Sequence, residues 1–200
     1  GLSVTPLQIA TAYSALANGG LLIAPTFVKG QRNEGQQIID ENVARQVVAM
    51  METVVTQGGA KQAAVLGYRV AGKTGTARKA SGGGYSRRYV SYFAGLVPVD
   101  NPRFSMVIVI DDPDTSRGGS TYGGGYISAP VFKATMEGTL RLMDVPPDDI
   151  ETWLAVQAEA EAKRLKAEGA TAPAPTEAKP RMAGQQALPP VAAVALPGTG

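Results

Sequence analysis

The 200 residues are 44% hydrophobic and 18% charged, enough for one buried core, and the formal net charge of +2 is too small to imply a nucleic-acid partner by itself. Cysteine and histidine are both absent, which excludes disulfides, thiol catalysis, a standard zinc site and a Ser-His-Asp triad within the chain, and leaves proton transfer to Lys, Tyr or a carboxylate. The chain starts at Gly1 and holds no signal-like or membrane-spanning run, so it reads as a piece of something longer.

Thr5-Pro6-Leu7-Gln8 predicts a helix start: Thr5 caps, Pro6 takes the first helical position and Gln8 reaches back as in a capping box. The helix should run to about Ala17 with Ile9, Tyr13 and Leu16 buried, and Asn18-Gly19-Gly20 should end it. Leu21 to Val28, broken by Pro25, reads as an extended edge segment. Asp40 is expected to cap a second helix, with Val43, Val47, Met50 and Val54 as its apolar stripe and Gly58-Gly59 as its stop.

Next comes Val70-Ala71-Gly72-Lys73-Thr74-Gly75-Thr76-Ala77-Arg78-Lys79, which opens as a strand and concentrates the reactive chemistry of the chain. In an extended segment Thr74 and Thr76 project from one face and Lys73 from the other. Glycines at 72 and 75 leave room for a neighbouring backbone or a ligand. No Asp or Glu lies between Glu52 and Asp100, while Lys61, Arg69, Lys73, Arg78, Lys79, Arg87 and Arg88 all do, so the surface should attract an anion. A plain edge strand blunted by lysine is the competing reading.

Ser81 to Arg88 reads as a glycine-rich basic loop, and Tyr89–Val97 and Phe104–Ile110 as two further strands joined by a Pro- and Asn-containing turn. A second glycine cluster spans Gly118 to Tyr126. Ser128 is expected to cap a helix carrying Val131, Phe132, Met136, Leu140 and Met143, closed by Val145-Pro146-Pro147. Helices flanking a three-stranded antiparallel sheet make an α+β arrangement. Residues 1–147 form the expected domain, 148–168 a charged segment with a helix over Ala155–Lys166, and 169–200 an Ala/Pro-rich disordered tail.

Gly67 to Thr74 also fits the phosphate-loop pattern G-x-x-x-x-G-K-[ST], which implies a nucleotide hydrolase and demands a helix starting at the lysine. The following Gly75-to-Gly84 run, rich in glycine and without helical period, makes a poor helix.

Several separated stretches resemble the later half of the transpeptidase domain of septal, division-specific class B penicillin-binding proteins. They are GLSVTPLQIATAYSALANGG at 1–20, AGKTGTARK at 71–79, YFAGLVPVDNPRFSMVIVIDDP at 92–113 and YGGGYISAPVFKATMEGTLRLM at 122–143. The resemblance implies a partial penicillin-binding protein or serine β-lactamase-like fold with a disordered tail. It also implies a serine acyl-transferase that cross-links peptidoglycan stem peptides ending in D-Ala-D-Ala and binds β-lactams. Such proteins sit in the inner membrane with the catalytic domain in the periplasm and work with divisome membrane proteins; no cofactor, metal or nucleic acid is implied, and the anchor is not in this chain. By the same resemblance Lys73 and Thr74 are catalytic positions. Gly75, Thr76, Ala77, Arg78, Tyr122, Gly124 and Gly125 contact substrate, although Gly123 stands where the family often has a second aromatic.

The family's nucleophile motif S-x-x-K and its partner S-x-N occur at no serine of this sequence. Both are expected upstream, so the chain alone should be inactive. A β-lactamase or D,D-carboxypeptidase shares the strand motif, and a fragment acting only as a docking surface is a third reading.

Overall fold

The computed structural model of the chain describes residues 3–114 and 122–170, with side chains as far as residue 166. Helix α1 spans Pro6–Ala17, and its capping box forms as the sequence predicts: the Thr5 hydroxyl accepts from the Gln8 N–H at 3.2 Å and the Gln8 side chain accepts from the Thr5 N–H at 2.8 Å. Gly19 and Gly20, at φ +63° and +88°, turn the chain out of the helix. Strand β1 covers only Leu21–Ile23, the first part of the extended segment expected there, and pairs antiparallel with β2, Gly35–Gln37.

Helix α2, Glu41–Thr56, starts under the predicted cap, with the Asp40 carboxylate accepting from the N–H groups of Asn42 and Val43. Its buried stripe is Ala44, Val48, Met51 and Val55, one residue on from the expected one, and Val43 and Met50 are exposed. A single 3-10 turn at Lys61–Ala63 follows.

Three strands, β3 (Ala71–Ser81), β4 (Gly84–Val97) and β5 (Phe104–Asp111), form an antiparallel sheet in the order β3-β4-β5. The loop expected at 81–88 is instead a hairpin: Gly82 and Gly83 take φ +54° and +87°, and β4 begins at Gly84. Two adjacent glycines supply the positive φ pair that a two-residue turn needs, so the strands run on past the basic residues.

Side chains alternate across the sheet and both faces are covered. Ala71 and Leu96 face Val48 and Met51 of α2, with Tyr13 and Leu16 of α1 packed alongside. On the opposite face Val70, Phe93 and Val97 pack on α3 (Ser128–Leu142) through Phe132, Met136 and Leu140. Phe93 meets Phe132 edge to face with centroids 4.9 Å apart. Val131 and Met143, placed by the sequence on the α3 core stripe, are exposed.

The segment after α3 ties the ends of the layers together. The Asp148 carboxylate accepts backbone N–H bonds from Arg69 at 2.8 Å, Val99 at 2.9 Å and Asp100 at 3.1 Å. The Arg69 guanidinium grips both oxygens of Glu52 on α2, at 2.7 and 2.6 Å, and also pairs with Asp100. That hydrogen-bonded pairing with Glu52 raises the Arg69 pKa further above its already high ordinary value. Helix α4, Ile150–Ala170, starts five residues before the expected Ala155, with the Trp153 N–H bonded to the Asp149 carbonyl in its first turn. Contacts divide the chain after Glu161. The disorder expected for the tail concerns residues that, from 171 on, lie outside the described ones.

Candidate functional site

Lys73 lies in the middle of a sheet run, paired with Ala94, and no helix begins there. A phosphate loop requires its lysine in the first turn of a helix, so the nucleotide-hydrolase reading falls. Register puts Thr74 opposite Phe93 and Thr76 opposite Ser91, on the α3 face of the sheet, and Lys73 on the α1–α2 face, as strand alternation predicts. Among the described residues β3 pairs only with β4, so its other edge presents main-chain N–H and C=O groups for an extended peptide to join.

The glycines make room for the neighbouring strand: at Gly72 the Ala94 carbonyl oxygen would lie 2.8 Å from an added Cβ, the backbone approach expected there, and the rings of that strand lie closer still. A Cβ on Gly75 would lie 1.8 Å from Cζ of Tyr92, and one on Gly72 would lie 2.3 Å from Cζ of Phe93. Both positions make room for rings of the neighbouring strand rather than for a ligand. Tyr92 in turn sits near the half-buried Tyr13, whose phenol is pushed up first by burial and then by Tyr92.

The closest main-chain approach occurs at the second glycine cluster. A Cβ on Gly124 would come within 2.2 Å of the Tyr92 carbonyl oxygen and 2.9 Å of the Gly75 carbonyl oxygen, and one on Gly125 within 1.9 Å of the Gly59 carbonyl oxygen. Gly124 therefore lies flat on the β3–β4 pair, and Gly125 against the loop that follows α2. From there the Gly124 N–H reaches the Thr76 hydroxyl at 3.4 Å. A threonine oxygen that accepts this bond keeps its own proton free to donate outward. Thr76 is exposed, whereas Thr74 is half-buried with its methyl toward Gly125.

Charge at the edge is more selective than the count of cations implies. Lys79 pairs with Asp111 at 2.7 Å and Arg88 with Asp112 at 2.7 Å, and Arg69 belongs to the cluster around Asp148. The Lys79 hydrogen bond holds the Asp111 carboxyl below its ordinary pKa. Among the described residues neither Lys73 nor Arg78 is in an ion pair. The Lys73 ammonium bonds the Thr74 carbonyl at 3.0 Å, and Arg78 Nε bonds the Ser86 carbonyl at 3.2 Å.

Thus Lys73, Thr74, Gly75, Thr76, Ala77 and Arg78 share β3, and Gly124 and Gly125 close one side of it. Tyr122 joins them through a residue the sequence reading missed: its ring stacks on Tyr89 of β4 with centroids 4.0 Å apart and planes 10° apart. Tyr89 pairs with Arg78, so the stack stands on the strand next to the outer half of β3. Its only sequence signal was an aromatic opposite the motif across a hairpin whose register was not yet known.

The family model described as the Penicillin binding protein transpeptidase domain matches residues 1–137. The chain belongs to this family. Its relatives include the peptidoglycan D,D-transpeptidase FtsI of Escherichia coli K12, 43% identical over 155 residues that make up 76% of this chain and 26% of that protein. A probable peptidoglycan D,D-transpeptidase PbpC of Pseudomonas aeruginosa is 42% identical over 158 residues, or 78% of this chain and 27% of that protein. Among solved structures, the apo TP domain of Burkholderia pseudomallei penicillin-binding protein 3 superposes with a TM-score of 0.65 at 42% identity, covering 74% of this chain and 45% of that one. The transpeptidase-family chain therefore spans about a quarter of the length of these curated relatives.

Proposed function

We propose that this chain is the substrate-gripping part of a peptidoglycan D,D-transpeptidase that cross-links stem peptides by serine acyl transfer and is acylated by β-lactams during septum formation. The observation that carries the reading is the β3 edge, unpaired among the described residues, which bears Lys73-Thr74-Gly75-Thr76 with the Thr76 hydroxyl accepting from the Gly124 N–H. A peptide ending in D-Ala-D-Ala lies antiparallel along that edge from residue 76 outward, in main-chain hydrogen bonds. Thr76 donates to its terminal carboxylate, Thr74 flanks it, and Lys73 supplies positive potential to the hydroxyl network that moves the proton. Arg78 and the Tyr89–Tyr122 stack border the groove beyond. The nucleophilic serine and its lysine come from the parent protein, which on this reading is anchored in the inner membrane, works in the periplasm and meets divisome membrane proteins. No described helix is long and apolar enough to cross a membrane.

The test compares Thr76→Val with Thr26→Val in the parent protein. Both remove one hydroxyl and keep the β-branched shape. A lost bond to a charged carboxylate, about 1.5–3 kcal/mol, lowers the second-order acylation rate by roughly tenfold to a hundredfold at Thr76. Among the described residues the Thr26 hydroxyl bonds within its own loop, to Val28 N–H at 3.0 Å and Gln31 at 3.3 Å, so its loss should leave acylation unchanged. Equal rates in two folded variants remove Thr76 from the site.

A further inference from the structure

Two hydroxyls are fully buried under the candidate groove. Ser91 on β4 and Ser128 at the start of α3 are both 0% exposed, and their oxygens lie 3.0 Å apart. Ser128 carries the side chain that the local sequence marks as a helix cap, yet α3 has Ile127 in the cap position and no side-chain cap bond. Its hydroxyl is turned instead across the core to Ser91, the register partner of Thr76. The first N–H groups of α3 find a backbone partner: those of Ser128 and Ala129 donate to the Gly124 carbonyl at 3.1 and 2.9 Å. The Gly124 N–H then points the other way, to Thr76.

With the β3–β4 register pairing of Thr76 and Ser91, these bonds link Thr76, Ser91, Ser128 and Gly124 in a ring. Gly124 has no slack, since even a methyl there would strike the Tyr92 carbonyl oxygen. The height at which α3 meets the sheet therefore sets where the Gly124 N–H stands, and that N–H occupies one side of the Thr76 oxygen and leaves its proton to point away from Gly124. We infer that Ser91 and Ser128 are positioning residues for acylation, which register the start of α3 on β4 so that Gly124 aims the Thr76 hydroxyl at the carboxylate of the bound peptide or β-lactam. The inference rests on the transpeptidase reading and deepens it. A simple buried polar pair would only satisfy itself, and its loss would show in stability alone.

The experiment uses the full-length parent protein and a fluorescent penicillin, measuring acylation rate and thermal midpoint for Ser91→Ala, Ser128→Ala and the double variant, each in the wild-type and Thr76→Val backgrounds. Ser91→Ala leaves the Ser128 hydroxyl buried without its partner, whereas the double variant leaves no orphan and recovers much of the melting temperature. The expected result is an acylation loss of about threefold to tenfold in both single variants that persists in the double and shrinks to nothing when Thr76 is already valine. Acylation at the wild-type rate with a lowered midpoint overturns the inference, as does recovery of acylation together with stability in the double variant. An equal loss in both Thr76 backgrounds overturns it too, because the pair would then act by another route. A wild-type parent that never takes up the label sinks the transpeptidase reading itself, which distinguishes the two failures.

Discussion

At the scale of single residues, three glycines that look alike in the sequence differ in what surrounds them. Gly124 faces two carbonyl oxygens of the sheet backbone, which cannot step aside, while Gly75 faces the ring of Tyr92, which can swing at some cost. Gly138 lies inside α3 with nothing within 4 Å of an added Cβ. Gly124→Ala should therefore destabilise most, by about 3 kcal/mol, and Gly75→Ala by about 1–3 kcal/mol. Gly138→Ala should stabilise by about 0.5–1 kcal/mol through helix propensity. Urea midpoints of the three variants check the order, and a neutral Gly124→Ala would show that the loop does not lie on the strands. The Lys79–Asp111 pair belongs to the same scale. Because Asp111 titrates lower folded than unfolded, its contribution is present above the ordinary carboxylate pKa and is lost as the pH falls through the depressed one. Asp111→Asn should flatten the acid limb of the stability profile and leave its slope near neutral pH unchanged.

At the scale of elements, the motif strand is held from its entry. Asp148 collects three N–H groups, one from Arg69 just before β3 and two from the β4–β5 turn, and the Arg69 side chain binds α2 to the same corner. Asp148→Asn replaces one carboxylate oxygen by an amide that would face an N–H, so it should cost about 1.5–3 kcal/mol. Thermal melting measures this loss, and a change below about 0.5 kcal/mol would mean that solvent already satisfies those groups. The pair in α2 explains why the helix is legible and its orientation is not. Val43, Val47, Met50 and Val54 have helical spacing, and so do Ala44, Val48, Met51 and Val55. Periodicity selects the helix in either case. Only the sheet, by offering Ala71 and Leu96, selects the second stripe.

At the scale of the whole sheet, helices cover both faces, and among the described residues the outer edge of β3 is unpaired; the proposed function puts its chemistry on the side chains of that edge and its grip on the main chain. The chain has no S-x-x-K serine, so expressed by itself it should take up no labelled penicillin. A covalent adduct on any of its serines would place a nucleophile where the sequence shows none.

The sequence by itself determined the two side-chain-capped helices α1 and α2, the three antiparallel strands and the Lys73-to-Arg78 motif, because caps, prolines, paired glycines and alternating apolar residues act over a few neighbours and need no distant partner. Tertiary structure alone decided the rest. It set Gly72 and Gly75 against aromatic rings of the neighbouring strand, stacked Tyr89 on Tyr122, and drew the Ser128 hydroxyl from a helix cap to Ser91. Each of these depends on residues brought together across the sheet, and a local pattern carries no record of which partner at long range will win a shared ring, hydroxyl or main-chain group.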